Sequence, residues 1–295
     1  MSLRDQLKGT GVALVTPFRK DKSVDYESLK KLVDFVIEQG VNYVVSLGTT
    51  GETPTLKKEE KLKIVEETMS YVSDRVPVVI GVGGNDTEAV IKEIEYLPVD
   101  KAAAILSASP YYNKPSQEGI FQHYKALASA TTKPIILYNV PGRTGSNIAA
   151  STTVRLATQV DNIAGIKEAS GSMIQGMHIL RNRPENFFVC SGDDHIALPL
   201  IACGMDGVIS VAANCFAKDF SDMVTAALNN DYEKARMLQY KLLEGFDLLF
   251  AENNPAGVKA FLSEMGMIEN SLRLPLVPLS DTILQQVKKY YPTIK

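Results

Sequence analysis

Eight short runs, apolar at nearly every position, punctuate the first two-thirds of the chain: GVALVTPF (11–18), VNYVVSLG (41–48), VPVVIGVG (76–83), AAAILSASP (102–110), KPIILYNVP (133–141), NIAGIKEAS (162–170), NFFVCSGDD (186–194) and DGVISVAANC (206–215). Continuous apolar runs rich in β-branched residues predict parallel strands covered on both faces, whereas strict alternation would predict half-exposed ones. Between the runs the period changes to that of a helix. Residues 26–40 carry Leu29, Leu32, Val33 and Ile37 on one stripe and stop at Gly40, and 57–72, 117–130 and 220–230 behave similarly. Eight strand–helix units within residues 1–230 predict an α/β protein of the (β/α)8 TIM-barrel type. A doubly wound open sheet uses the same units, but no G-x-G-x-x-G follows the first strand. Residues 231–295 are helical in pattern, with no strand candidate and no linker rich in Pro, Gly or Ser before them. The expected organisation is a barrel over 1–230 with a C-terminal helical extension over 231–295.

In a parallel barrel the C-terminal ends of the strands converge on one mouth, where reactive groups collect. The expected strand ends supply GTTGE (48–52), PYYNKPSQEG (110–119), YNVPGRTG (138–145), Lys167 and SGDD (191–194). Lys167 is the anomaly, because an ammonium inside an apolar run is costly to bury. It reads either as a strand-end lysine with its head in water or as a desolvated amine, the form that attacks a carbonyl. Alternation places Ile163, Gly165 and Lys167 on one face, with Gly165 leaving room beside the lysine, and Ile136 and Tyr138 on the matching face of the preceding strand. Tyr138 is then a core tyrosine or a proton carrier working with a threonine and a second tyrosine. GTTGE is a glycine-framed turn, or a cradle in which backbone N–H groups and the hydroxyls of Thr49 and Thr50 hold a small carboxylate; it lacks the ending of a Walker loop. Arg143 is a surface arginine or a forked donor to a second carboxylate.

Composition narrows the partners. With a net charge of −3 and no block of like charge, the 295-residue chain offers no basic surface for nucleic acid or anionic lipid, and a small molecule is the expected ligand. No apolar run approaches a membrane span and the N-terminal MSLRDQLKGTG has no signal-peptide core, so the expected location is cytoplasmic. Cys190, Cys203 and Cys215 are odd in number and widely spaced, which argues against disulfides or zinc and for buried thiols; His123, His178 and His195 are too scattered for a metal centre.

Taken in order and at these intervals, GVALVTPF, GTTGE, PYYNKPSQEG, YNVPGRTG, GIKEASG and SGDD resemble the dihydrodipicolinate synthase family of the pyruvate-dependent class I aldolases, with the likeness running from about Gly9 to NNPAGVKAFL (253–262). The resemblance implies a lyase of lysine and diaminopimelate biosynthesis that condenses pyruvate with L-aspartate-4-semialdehyde. It implies that Lys167 forms a Schiff base with pyruvate, and that Tyr138 transfers protons in a relay with Thr49 and with Tyr112, the latter reaching in from a neighbouring subunit. Thr50 would hold the pyruvate carboxylate and Arg143 that of the acceptor, while Gly192 and Ile209 match pocket-lining positions. No metal or organic cofactor is implied, and a homotetramer is the family's usual state, with a dimer as the alternative. The competing readings are another pyruvate-dependent aldolase, such as N-acetylneuraminate lyase or a keto-deoxy sugar acid aldolase, and a catalytically silent keto-acid sensor. Arg143 with the Tyr111–Tyr112 pair counts against the first, and the presence of Lys167 and Tyr138 against the second.

The sequence departs from the resemblance at one place. Lysine-inhibited members hold L-lysine between subunits with a tyrosine, an asparagine, a glutamate four residues beyond it and two histidines. Tyr111 and Asn85 match, but the glutamate position is Ala89, beside Glu88, and the histidine positions are Lys58 and Lys61. Losing a carboxylate and gaining two cations disfavours an ammonium ligand, so weak or absent inhibition by L-lysine is expected.

Overall fold

The computed structural model describes residues 2–294. Each apolar run contributes one strand of a closed parallel barrel: β1 (Gly9–Ala13), β2 (Tyr43–Ser46), β3 (Val78–Gly81), β4 (Ala104–Ala108), β5 (Ile135–Asn139), β6 (Ile163–Glu168), β7 (Phe188–Ser191) and β8 (Gly207–Ser210). Neighbours in sequence are neighbours in the sheet, and β8 closes on β1 through Gly9↔Gly207 and Gly11↔Ile209. That seam needs glycine. A Cβ on Gly207, whose φ is +149°, would fall 1.9 Å from the Gly9 carbonyl oxygen.

Inward-facing strand residues fill the barrel with a compact apolar cluster that includes Tyr43, Val45, Leu106, Ile136, Phe188 and Ile209. The Tyr43 and Phe188 rings meet edge to face at 6.5 Å. Leu7 joins this cluster from the N-terminal segment, and Arg4 Nε donates to Asp206, just before β8, at 2.8 Å. The N-terminal segment thus closes the end of the barrel opposite the expected mouth. Outside, helices cover the strands. The helix Tyr26–Glu38 begins at Asp25, whose carboxylate caps Ser28 N at 3.2 Å, and buries Leu29, Leu32, Val33 and Val36, with Ile37 at the margin. After the barrel, helices Tyr232–Phe250, Ala256–Glu264 and Asp281–Tyr290 add Leu242, Phe246, Phe261 and Val287 to the apolar layer beneath the barrel helices, so the extension shares its core.

Three local expectations are corrected. The first strand begins at Gly9 and ends at Ala13; the apolar 14–18 continues as an extended segment in which Leu14 N still bonds Val45 O, Val15 N turns to Asn214 Oδ1, and Pro17 has no N–H to donate. On β6, Ile163 does not share the face of Lys167. The β5–β6 register runs Ile135↔Ile163 and then Ile136↔Gly165, and this irregularity sends Ile163 into the outer layer with Ile166. Cys190 and Cys215 are buried, but Cys203, at the end of the helix Ala197–Ala202, is exposed.

Candidate active site

Lys167 and Tyr138 are paired across β5 and β6 at the mouth of the barrel. Lys167 is only 4% exposed, and its Nζ lies 4.4 Å from the centroid of the Tyr138 ring. Among the described residues, neither Lys167 Nζ nor the Tyr138 hydroxyl has an ion-pair or hydrogen-bond partner. The room for the lysine comes from Gly192, not Gly165. A Cβ on Gly165 would meet the carbonyl oxygen of Phe188 at 2.7 Å and its Cβ at 2.9 Å, whereas a Cβ on Gly192 would stand 2.8 Å from Lys167 Cε.

Two adjoining cavities, about 370 and 490 Å³, share Thr49, Tyr138, Val140, Arg143 and Lys167 in their walls. Thr49 and Thr50 sit on a single 3-10 turn, Thr49–Gly51, directly after β2. Thr50 is buried, and its hydroxyl accepts from Asn254 Nδ2 at 3.1 Å. Arg143 stands on the short helix Pro141–Thr144 after β5, exposed and without a carboxylate partner among the described residues. Gly192 lines the second cavity. The structure therefore brings Lys167, Tyr138, Thr49, Thr50, Arg143 and Gly192 around one space. It does not bring in two other expected residues. Ile209 is fully buried in the interior cluster that also contains Tyr138, and Tyr112 stands 88% exposed on its own chain with a left-handed φ of 71°. Tyr111 lines the first cavity instead.

Several site residues were not singled out from the sequence. Asn254, from the C-terminal portion, lines the second cavity, as do Asp193 and His195. His195 faces Asp193 Oδ1 at 3.7 Å and Asp247 Oδ1 at 3.1 Å; these carboxylates, Asp193 foremost, raise its pKa against the opposing effect of burial. Asp194 is buried, and its carboxylate accepts from Val211 N at 3.1 Å and Ala212 N at 2.9 Å, while burial pushes its pKa up. Behind Lys167, the buried Glu168 carboxylate has no cationic partner among the described residues. It accepts instead from Asn139 Nδ2 (3.0 Å), Ser170 N (2.8 Å) and Gln175 Nε2 (3.0 Å). Asn139 Oδ1 in turn accepts from Ile148 N at 2.9 Å, so this network ties the Arg143 loop to the strands that carry Tyr138 and Lys167. DD and KE pairs carried no spacing signal for these contacts, which depend on where the loops meet.

Among the described residues no group of three or more His, Cys, Asp or Glu side chains is arranged to hold a metal ion. Among the described residues, the Lys167 amine, the Tyr138 phenol and the Arg143 guanidinium have no hydrogen-bond or ion-pair partner, and groups of these kinds can serve as nucleophile, proton carrier and anion donor.

Comparison with known proteins places this arrangement. The model of the dihydrodipicolinate synthetase family matches residues 6–293. The 4-hydroxy-tetrahydrodipicolinate synthase of Parabacteroides distasonis is 53% identical, covering 96% of this chain and 95% of its own, and that of Phocaeicola vulgatus is 51% identical over 99% of each. Among solved structures, the chloride-inhibited dihydrodipicolinate synthase of Acinetobacter baumannii, complexed with pyruvate, aligns with a TM-score of 0.95 at 42% identity over 98% of this chain and 99% of that one. With its barrel, its motifs and nearly its whole length matched, the chain belongs to the dihydrodipicolinate synthetase family.

Proposed function

We propose that this chain condenses pyruvate with L-aspartate-4-semialdehyde through an imine on Lys167, the reaction of a 4-hydroxy-tetrahydrodipicolinate synthase. The observation that carries the assignment is the buried Lys167 amine, unpaired among the described residues and facing a cavity beside Tyr138. The free amine attacks the pyruvate carbonyl carbon, and loss of water leaves the imine. Its nitrogen accepts the electron pair released when a methyl proton leaves, giving an enamine. That carbon bonds to the aldehyde carbon of the acceptor, whose oxygen takes up a proton. The acceptor's own amine then attacks the imine carbon, closing the ring and releasing Lys167. Tyr138, with Thr49, carries the protons; Thr50 and the backbone of its turn hold the pyruvate carboxylate; Gly192 leaves space for the lysine arm; and Ile209 supports the floor from below.

Arg143 suits the acceptor's carboxylate, since it lines both cavities and has no carboxylate partner among the described residues. The relatives' names support this assignment over N-acetylneuraminate lyase or a sugar-acid aldolase. Tyr112 would complete the relay only from a second copy, as its exposure favours, and a homotetramer, with a dimer as the alternative, is part of this proposal. Among the described residues no helix is long and apolar enough to cross a membrane, and a cytoplasmic location is part of this assignment. The test is turnover of pyruvate with aspartate semialdehyde and with N-acetylmannosamine, in the wild type and in Arg143→Ala. The semialdehyde should be preferred, and Arg143→Ala should weaken its use while leaving pyruvate imine formation in place. Preference for N-acetylmannosamine would overturn the assignment.

A further inference from the structure

Under the GTTGE turn lies an ion pair, Glu52–Lys259, in which both side chains are wholly buried; no other ion pair among the described residues is so. Glu52 follows Thr50 by two residues and holds a left-handed backbone, φ 54° and ψ 33°, which is uncommon for a residue with a side chain. Its surroundings come from beyond the barrel. One carboxylate oxygen takes the Lys259 ammonium, and the other accepts from Arg273 N at 3.0 Å. Lys259 also donates to Ser271 O at 2.9 Å and lies 4.2 Å over the Phe18 ring. Asn254 reaches Thr50 itself, while from the barrel side Thr16 Oγ1 donates to Gly51 O at 2.7 Å. The helix Ala256–Glu264 thus grips the turn from below.

A buried ion pair is poor evidence for stability, because an apolar pair of similar volume often serves as well or better. What it supplies here is a fixed location for the residue that ends the turn. We infer that Glu52 and Lys259 are positioning residues through which the C-terminal helices hold Thr49 and Thr50 in register with Lys167. This rests on the assignment of that turn as the pyruvate-carboxylate site. Neither residue touches substrate. Neutralising the pair leaves the left-handed turn without its anchor, and a shift of about 1 Å in the threonine hydroxyls is enough to cost up to about 10²-fold. The Arg143 loop is held by a different network, through Asn139, Asn147 and Glu168, and keeps its place.

The test uses two variants of the full chain. Glu52→Gln keeps the side-chain shape and the acceptor for Arg273 N, and Glu52→Gln with Lys259→Met removes both charges together. For each, the melting temperature is measured beside the half-saturating pyruvate concentration for imine formation, read by borohydride trapping at Lys167. The expected result is a folded protein whose half-saturating pyruvate rises about 10-fold or more. Should the double variant not fold, Glu52→Gln decides by the same criterion. A folded variant that saturates within twofold of wild type, whatever its melting temperature, overturns the inference, because the pair is then only structural. Absence of any adduct in wild type itself is a different failure: it removes the Lys167 assignment and this inference with it.

Discussion

Gly192→Ala should disable the enzyme without unfolding it. The new Cβ would stand 2.8 Å from Lys167 Cε and 2.6 Å from Ala169 Cβ, whereas carbon atoms in contact sit about 3.5–4.0 Å apart. The strand end cannot easily retreat, because Gly192 N donates to Glu168 O at 2.7 Å. The one flexible neighbour is the lysine arm, whose tip must withdraw by about 0.7 Å or more to reach normal contact. A misplacement near 1 Å at a reacting group costs about 10²-fold, while overpacking of this kind costs about 1–3 kcal/mol of stability. The assay is kcat/KM for pyruvate beside a thermal melt. The expected outcome is a folded protein with a modestly lowered melting temperature and kcat/KM down about 10²-fold. A folded variant within threefold of wild type would refute the reasoning, since the position of Lys167 Nζ would then not limit the reaction.

Tyr138→Phe keeps the ring over Lys167 and removes the proton carrier, so kcat should fall by at least about 10²-fold with the melting temperature nearly unchanged; near-normal turnover would return Tyr138 to a packing role. L-lysine should inhibit weakly or not at all in an initial-rate titration: Lys58 lies 3.8 Å over the Tyr96 ring, and the two carboxylates near Ala89 are already paired, Glu93 with Lys61 at 2.7 Å and the solvent-exposed Glu88 with Lys92. Strong sub-millimolar inhibition would contradict this. His123 is buried with Nδ1 2.9 Å from Thr87 Oγ1, and burial pulls its pKa down to about 4. An unfolded histidine takes its proton near pH 6.5, so this site's contribution is intact above about 6.5 and is lost as pH falls from there towards 4. Melting curves across that window should fall less steeply for His123→Gln than for wild type, and parallel curves would show that His123 does not contribute.

The barrel was legible because a parallel strand buried on both faces has to be apolar at almost every position, and seven of the eight runs hold one strand whole while the first overlaps β1. Lys167 was legible for the same reason, as the charge such a run would otherwise exclude. What escaped was register and distance. Alternation placed Ile163 beside Lys167, but the irregularity opposite Ile135 reverses the face, and periodicity alone does not announce it. Gly165 looked like the space beside the lysine because it is two residues away, while the true space, Gly192, lies on the neighbouring strand's exit, 25 positions later. Asn254 and Lys259 meet Thr50 and Glu52 across more than 200 residues, through the way the C-terminal segment packs against the turn after β2. The choice between a strand-end lysine with its head in water and a desolvated amine was likewise decided by packing: Lys167 is buried, only 4% exposed.

Everything proposed for the site depends on one covalent bond, and borohydride reduction in the presence of pyruvate, followed by peptide mass spectrometry, observes it directly. The expected result is a single reduced pyruvate adduct on the peptide containing Lys167, lost in Lys167→Ala; an adduct on another lysine, or none at all, would contradict the assignment.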